Sequence, residues 1–274
     1  MSAVGAVSRR LLAFAAALTV FSAEAQWARV PDRSLPRGLD GAVDLEGPAP
    51  RVRRKPDLSG VWLADAEPLP KEAGLSIEGD MPFARYFVNV TADIPQDPVL
   101  LQPWATELFQ KRLESGGVDD PVAHCKPSGV PILNAVPLPL KIIQTPSVVM
   151  VLYEENTVFR QIFLDGRRPV EDAVPRYMGY STGRWDGDAL VVDTVGFSDH
   201  HWLDAMGHPL TAQLRLTERF RRPTAGHLEI EVTVDDHGAY TRPFSYTIKS
   251  TLIPDEDLLE YFCADNEKDA QHYQ

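Results

Sequence analysis

The sequence predicts a mainly β protein, an antiparallel barrel or strongly curved sheet with one or two peripheral helices. Three observations carry this expectation. Short β-branched and aromatic runs recur through the second half of the chain, an Asp-Gly pair separates two of them, and one stretch alone combines helical spacing with start and stop residues.

The chain opens with Ser8, Arg9 and Arg10, an apolar run from Leu11 to Phe21, and Ala23-Glu24-Ala25 ahead of Gln26. That order predicts a cleavable signal peptide over residues 1–25 and an exported protein, periplasmic or secreted. The apolar run has 11 residues, short of the ~20 a membrane-spanning helix needs, and no span is expected in the mature chain. Ser8 to Leu12 suits a twin-arginine signal, and it equally suits the general secretory route. Residues 26–55 are rich in proline and arginine without apolar periodicity, which predicts a linker or surface strap. A single β-rich domain is expected over 56–274.

Within that domain, Pro103 sets the first turn of a helix expected over Trp104 to Ser115, with Trp104, Leu108 and Leu113 at helical spacing and Gly116-Gly117 as the stop. Val148 to Tyr153 and Val158 to Leu164 flank a polar turn at Glu154-Glu155-Asn156, a hairpin pattern. Asp186-Gly187 marks a second hairpin whose outgoing strand is Ala189 to Val195. Leu228, Ile230, Val232 and Val234 alternate with polar residues, so that strand has one buried face.

Gly60-Val61-Trp62, at the expected start of the first strand, resembles the opening motif of lipocalins and related calycin barrels. The resemblance implies a calycin-like barrel whose closed end is plugged by the Trp, in preference to a sandwich. More broadly, Asp57 to Trp62, Cys125 to Pro131, Phe159 to Arg167, Gly183 to Asp188 and Leu216 to Arg222 resemble a family of exported bacterial proteins of unassigned function, over about Pro56 to Lys268. That resemblance brings no catalytic residues with it.

The formal charge is -12, and removal of Arg9, Arg10 and Glu24 with the signal makes it -13. Such a surface repels phosphate backbones, so nucleic acid is not an expected partner. Cys125 and Cys263 are the two cysteines. Export favours a disulfide between them over a reactive thiol beside His124.

Chemistry concentrates between Phe197 and Pro209, where Asp199, His200, His201, Trp202, Asp204 and His208 occupy one loop. An Asp-oriented histidine exchanges protons near neutral pH, which makes His208 with Asp199 or Asp204 the expected acid-base group. Trp202 offers a flat wall to a ring, and His200, His201 and Tyr240 are the expected ligand-contacting neighbours. A metal is not expected: adjacent histidines point apart and no His-x-His or His-x-x-x-His spacing occurs in the loop. Glu218 is the second candidate. Period-two alternation puts it on the apolar face with Leu214, Leu216 and Phe220, where it needs a raised pKa or an inward arginine such as Arg160 or Arg184.

No phosphate loop, dinucleotide fingerprint, nucleophile elbow or zincin motif occurs, so no cofactor is expected. The sequence thus points to a β-barrel acting on a small apolar or ring-containing molecule by acid-base chemistry, as a lyase, isomerase or hydrolase. The competing expectation is a non-catalytic, lipocalin-like small-molecule binding protein. An acid-base role requires Glu218 and His208 to open into one cavity; a closed pair between Glu218 and an arginine favours the carrier.

Overall fold

In the computed structural model the described residues are 31, 32, 34–65, 90, 101–169 and 174–263. The expected signal peptide and residues 264–274 lie outside them. Two short strands, β1 (Arg51–Val52) and β2 (Lys55–Pro56), form a small hairpin. The nine that follow close into a barrel: β3 (Gly60–Ala64), β4 (Leu140–Gln144), β5 (Val148–Tyr153), β6 (Val158–Phe163), β7 (Tyr180–Asp186), β8 (Ala189–Val195), β9 (Arg215–Arg221), β10 (His227–Asp235) and β11 (Phe244–Leu252).

Strands neighbour one another in chain order, and β11 closes the barrel on β3 through Thr251 opposite Leu63. Every neighbouring pair is antiparallel except β6 and β7, which run parallel through Ile162 opposite Ser181 and Phe163 opposite Thr182. The barrel is therefore mixed, antiparallel as expected in every neighbouring pair but this one. The cause is the long 164–179 connection, which returns the chain to the end from which β6 started instead of turning tightly.

Alternation sorts the side chains. Leu216, Glu218 and Phe220 of β9 point inward, as do Leu228, Ile230, Val232 and Val234 of β10, and all are buried. A barrel of this strand number has an interior that side chains can fill. At one end Trp62 is fully buried, donates its indole N–H to the Leu58 carbonyl at 3.0 Å, and carries the Arg222 guanidinium 4.8 Å above its ring. The strap ahead of the barrel packs here too: Leu35 is buried, Leu45 and Val43 lie against the core, and the Gly226 N–H donates to the Leu45 carbonyl at 2.7 Å.

The opposite end, where β8 finishes and β9 begins, carries the helix and the long loops. Helix α1 (Pro103–Glu114) starts at the expected proline. Its inward face differs from the expected one: Ala105 is buried, while Trp104 and Leu113 are 44% and 46% exposed. The helix packs on loops. The Gln102 N–H donates to the Ala239 carbonyl, the Trp104 indole N–H donates to the Gly238 carbonyl at 2.8 Å, and Phe109 stacks on His208. Cys125 and Cys263 are joined in a disulfide, with their Cα atoms 5.4 Å apart. No helix among the described residues is long and apolar enough to cross a membrane.

Candidate functional site

The barrel mouth is built in two layers. The deeper one surrounds Glu218, which the β9 alternation drives into the core with no exposure. Arg160 of β6 meets it from across the barrel and forms a bidentate fork: Nη1 donates to Oε1 at 3.1 Å, and Nη2 donates to Oε2. Arg160 also donates from Nε to Ser181 Oγ at 2.9 Å and from Nη2 to Thr194 Oγ1 at 2.8 Å. Asn134 enters from the loop ahead of β4, donates to Glu218 Oε1 at 2.8 Å and accepts from the Tyr153 hydroxyl at 2.9 Å. Burial alone disfavours charge on Arg160, but Glu218 and then Tyr153 override it and hold its pKa above the ordinary value. Glu218 is thus enclosed by donors that fix its position. Arg184, the other arginine considered, lies outside and pairs with Asp193.

Above this network lies the histidine loop. Asp204 is buried, and its carboxylate gathers the chain around it: Oδ1 accepts from the Met206 and His208 backbone N–H groups at 3.1 Å, while Oδ2 accepts from the Val90 N–H at 2.7 Å. The same Oδ2 lies 2.7 Å from His208 Nδ1, which fixes the imidazole. His208 is fully buried, its ring centroid 3.8 Å from that of Phe109, and its Nε2 has no partner among the described residues. Of the two aspartates considered for His208, Asp204 is the one that reaches it; Asp199 is exposed and approaches His200 instead. The Tyr246 phenol is pushed well above its ordinary pKa by burial first, then by the Glu218 and Asp204 charges, so both carboxylates are felt at one buried hydroxyl.

Beside His201 and Trp202 opens a cavity of about 180 Å³. Its apolar wall is Trp202 with Val122, Ile132, Val136 and Leu138; its polar groups are Asp120, Ser128, Glu155, His201 and Asp204. Trp202 is held from behind by the Arg112 guanidinium, 5.1 Å from its ring centroid, and Arg112 is fixed by Asp119 and the Gly207 carbonyl. His201 is 1% exposed, and neither ring nitrogen has a hydrogen-bond partner among the described residues. Burial holds its pKa at about 4, against smaller opposing effects of the Val130 and Ser198 backbone, so the ring is neutral. Gly129 makes room for it at a φ of +78°; a Cβ there would sit 2.6 Å from His201 Cδ2.

Two carboxyl groups in this cavity went unread in the sequence. Glu155 follows β5 in a turn, is buried, and accepts from the Ser128 hydroxyl. Burial pushes its pKa up, and the neighbouring Asp120 adds to the rise. Asp120, after α1, is also raised, by burial first and by Asp119. Glu155 reads locally as an ordinary hairpin turn, because its burial comes from the distant 122–139 segment folding over the mouth. Asn134 carried a weak local signal, a lone amide within an otherwise apolar run from Val130 to Leu140.

The remaining expected residues fall outside the cavity. His200 is exposed, and Tyr240 is buried with its hydroxyl donating to the Pro209 carbonyl at 2.9 Å, a bond that closes the loop instead of offering a ligand contact. Among the described residues no group of three or more His, Cys, Asp or Glu side chains is placed to hold a metal. No protein-family model, curated protein or solved structure matches the chain.

Proposed function

We propose that the protein binds a small, ring-containing molecule in the cavity beside Trp202, as a non-catalytic binding protein. One observation carries the reading: an apolar-walled cavity of about 180 Å³ is lined by a neutral, buried imidazole whose two nitrogens reach no partner in hydrogen-bond geometry among the described residues, the Val130 and Ser198 backbone acting on the ring less than burial does. Leaving such groups unpaired costs roughly 1–3 kcal/mol each, and a ligand that supplies the partner recovers it. The bidentate Arg160 pair argues against Glu218 as a proton-transfer group, since both of its oxygens are already engaged.

A panel of aromatic and alicyclic metabolites, screened by thermal shift and confirmed by quenching of tryptophan fluorescence, tests the reading. Binders are expected among ring compounds, with Trp202→Ala abolishing the shift. Absence of any stabiliser from that panel would count against it.

The Asp204–His208 pair supports a second reading, cofactor-free acid-base catalysis, because His208 Nε2 has no partner among the described residues and its ring is fixed by an aspartate. Incubating a confirmed binder with the protein and following it by mass spectrometry separates the two. Intact recovery is expected of a carrier; conversion that disappears in His208→Ala is expected of an enzyme.

A further inference from the structure

The polar groups of the Trp202 cavity are one-sided. Asp120 and Glu155 bring carboxyl groups, His201 brings a neutral ring, and no lysine or arginine is among the described residues that line it. Glu155 Oε1 takes the Ser128 backbone N–H at 3.3 Å as well as its hydroxyl, the only side-chain hydroxyl among the described residues that line the cavity. Asp120 Oδ1 takes the Val122 N–H at 2.9 Å. The second oxygen of each carboxyl group accepts nothing from the described residues. Asp204, by contrast, is saturated by its own loop, Val90 and His208.

The basic side chains beside this cluster make their hydrogen bonds to other groups. Arg112 donates to Asp119 at 3.1 Å and to the Gly207 carbonyl at 2.9 Å, and the His124 ring lies 3.1 Å from the Val118 carbonyl. A buried carboxyl group, Glu155, and a half-buried one, Asp120, therefore share the aromatic-walled cavity with no hydrogen bond from a basic side chain among the described residues; burial raises the pKa of both, against a smaller lowering of Asp120 by His124 and Arg112. A ligand anion would add like charge to this cluster. A neutral ligand would leave the desolvation of the carboxylates uncompensated. An ammonium group has three donors and no acceptor, which complements two free carboxyl oxygens and an unprotonated imidazole nitrogen.

Resting on the binding reading above, we propose that the ligand is an organic cation: a protonated amine on a ring or other apolar body, with its ammonium at Asp120 and Glu155 and its ring against Trp202. The orphaned His201 ring supplies the third acceptor. The chain's formal charge of -12 favours approach of such a ligand over an acidic one.

The test compares three probes that share one ring, 2-phenylethylamine, 2-phenylethanol and 3-phenylpropanoate, by isothermal titration of the full exported chain near neutral pH. The amine is expected to bind at least about tenfold more tightly than the alcohol, and the acid not measurably, as charge-assisted hydrogen bonds imply. Glu155→Gln and Asp120→Asn are each expected to weaken the amine by about fivefold or more while leaving the alcohol unchanged. Far-UV circular dichroism and a melting curve confirm that each variant is folded. Alcohol or acid binding as tightly as amine overturns the cation assignment and leaves the binding reading standing. Failure of all three probes overturns the assignment, and if the ring-compound panel also yields nothing, the binding reading falls with it.

Discussion

His201 and Glu155 face the same cavity, yet their titrations act on stability in opposite windows. His201 has an ordinary pKa of 6.5 and is held at about 4 in the fold, so the unfolded chain takes up the proton first. Its contribution is complete above the ordinary value and is lost as pH falls towards 4, by roughly 3 kcal/mol. Denaturant melts near pH 7 and pH 4 are expected to show that loss in the wild type and not in His201→Gln. Glu155 is raised in the fold, so its contribution is complete below its ordinary pKa and disappears as pH rises through the folded one. Glu155→Gln, which can still accept from Ser128, is therefore expected to melt higher than the wild type at neutral pH. Gly129→Ala tests the cradle of His201 in another way. Its Cβ would meet His201 and lie 2.9 Å from the Tyr177 carbonyl at a left-handed φ, at a cost of about 2 kcal/mol or more in a denaturant melt. Glu218 was legible in the sequence because strict alternation along one strand puts it among Leu214, Leu216 and Phe220. Glu155 was not, because no local pattern records which distant segment will cover a turn.

Between elements, the fork from β6 to β9 and the disulfide do different work. Glu218→Gln leaves Arg160 charged and buried without its counterion, and a loss of about 3–5 kcal/mol is expected. Replacing both members, as in Arg160→Met with Glu218→Leu, is expected to recover most of that stability, because the desolvation of both charges is removed together. Chemical denaturation of the three proteins checks the ordering, and a double variant as unstable as Glu218→Gln would show that the pair stabilises in its own right. Cys125–Cys263 closes a separation of 138 residues, and Cys125→Ser with Cys263→Ser is expected to cost about 2–4 kcal/mol. The sequence placed β5, β6, β8 and β10 closely and started α1 at its proline, since each of these signals is local. It misjudged the buried face of α1, because that face is selected by the 196–214 and 235–243 loops: Ala105 is buried, Phe109 stacks on His208 and Arg112 lies over Trp202, where Trp104 and Leu113 were expected.

Over the whole molecule, the succession of strands left barrel and sandwich open and only the resemblance at Gly60-Val61-Trp62 favoured a barrel, while the parallel β6–β7 contact was not readable, because a 16-residue connection from 164 to 179 carries no periodic signal of direction. The acidic surface is a property of the same scale. Association of a cationic probe such as 2-phenylethylamine is expected to slow as salt is raised above ~0.1 M, where the screening length falls to about 10 Å, and stopped-flow fluorescence of Trp202 would record it. The direction of β6 and β7 also divides the chain. β3 to β6 form one continuous antiparallel meander and β7 to β11 another, and the two meet at a parallel seam of two residue pairs and at the β11–β3 seam of three. Cys125 precedes β4 and Cys263 follows β11, so the disulfide fastens one meander to the other. A single proteolytic nick in the 164–179 crossover would therefore produce a two-chain protein with complementary halves, tethered covalently through one sulfur bridge. While that tether holds, each half meets its complement at a high effective concentration and reassembly is first order; once it is reduced, recovery of the barrel becomes bimolecular and fades on dilution.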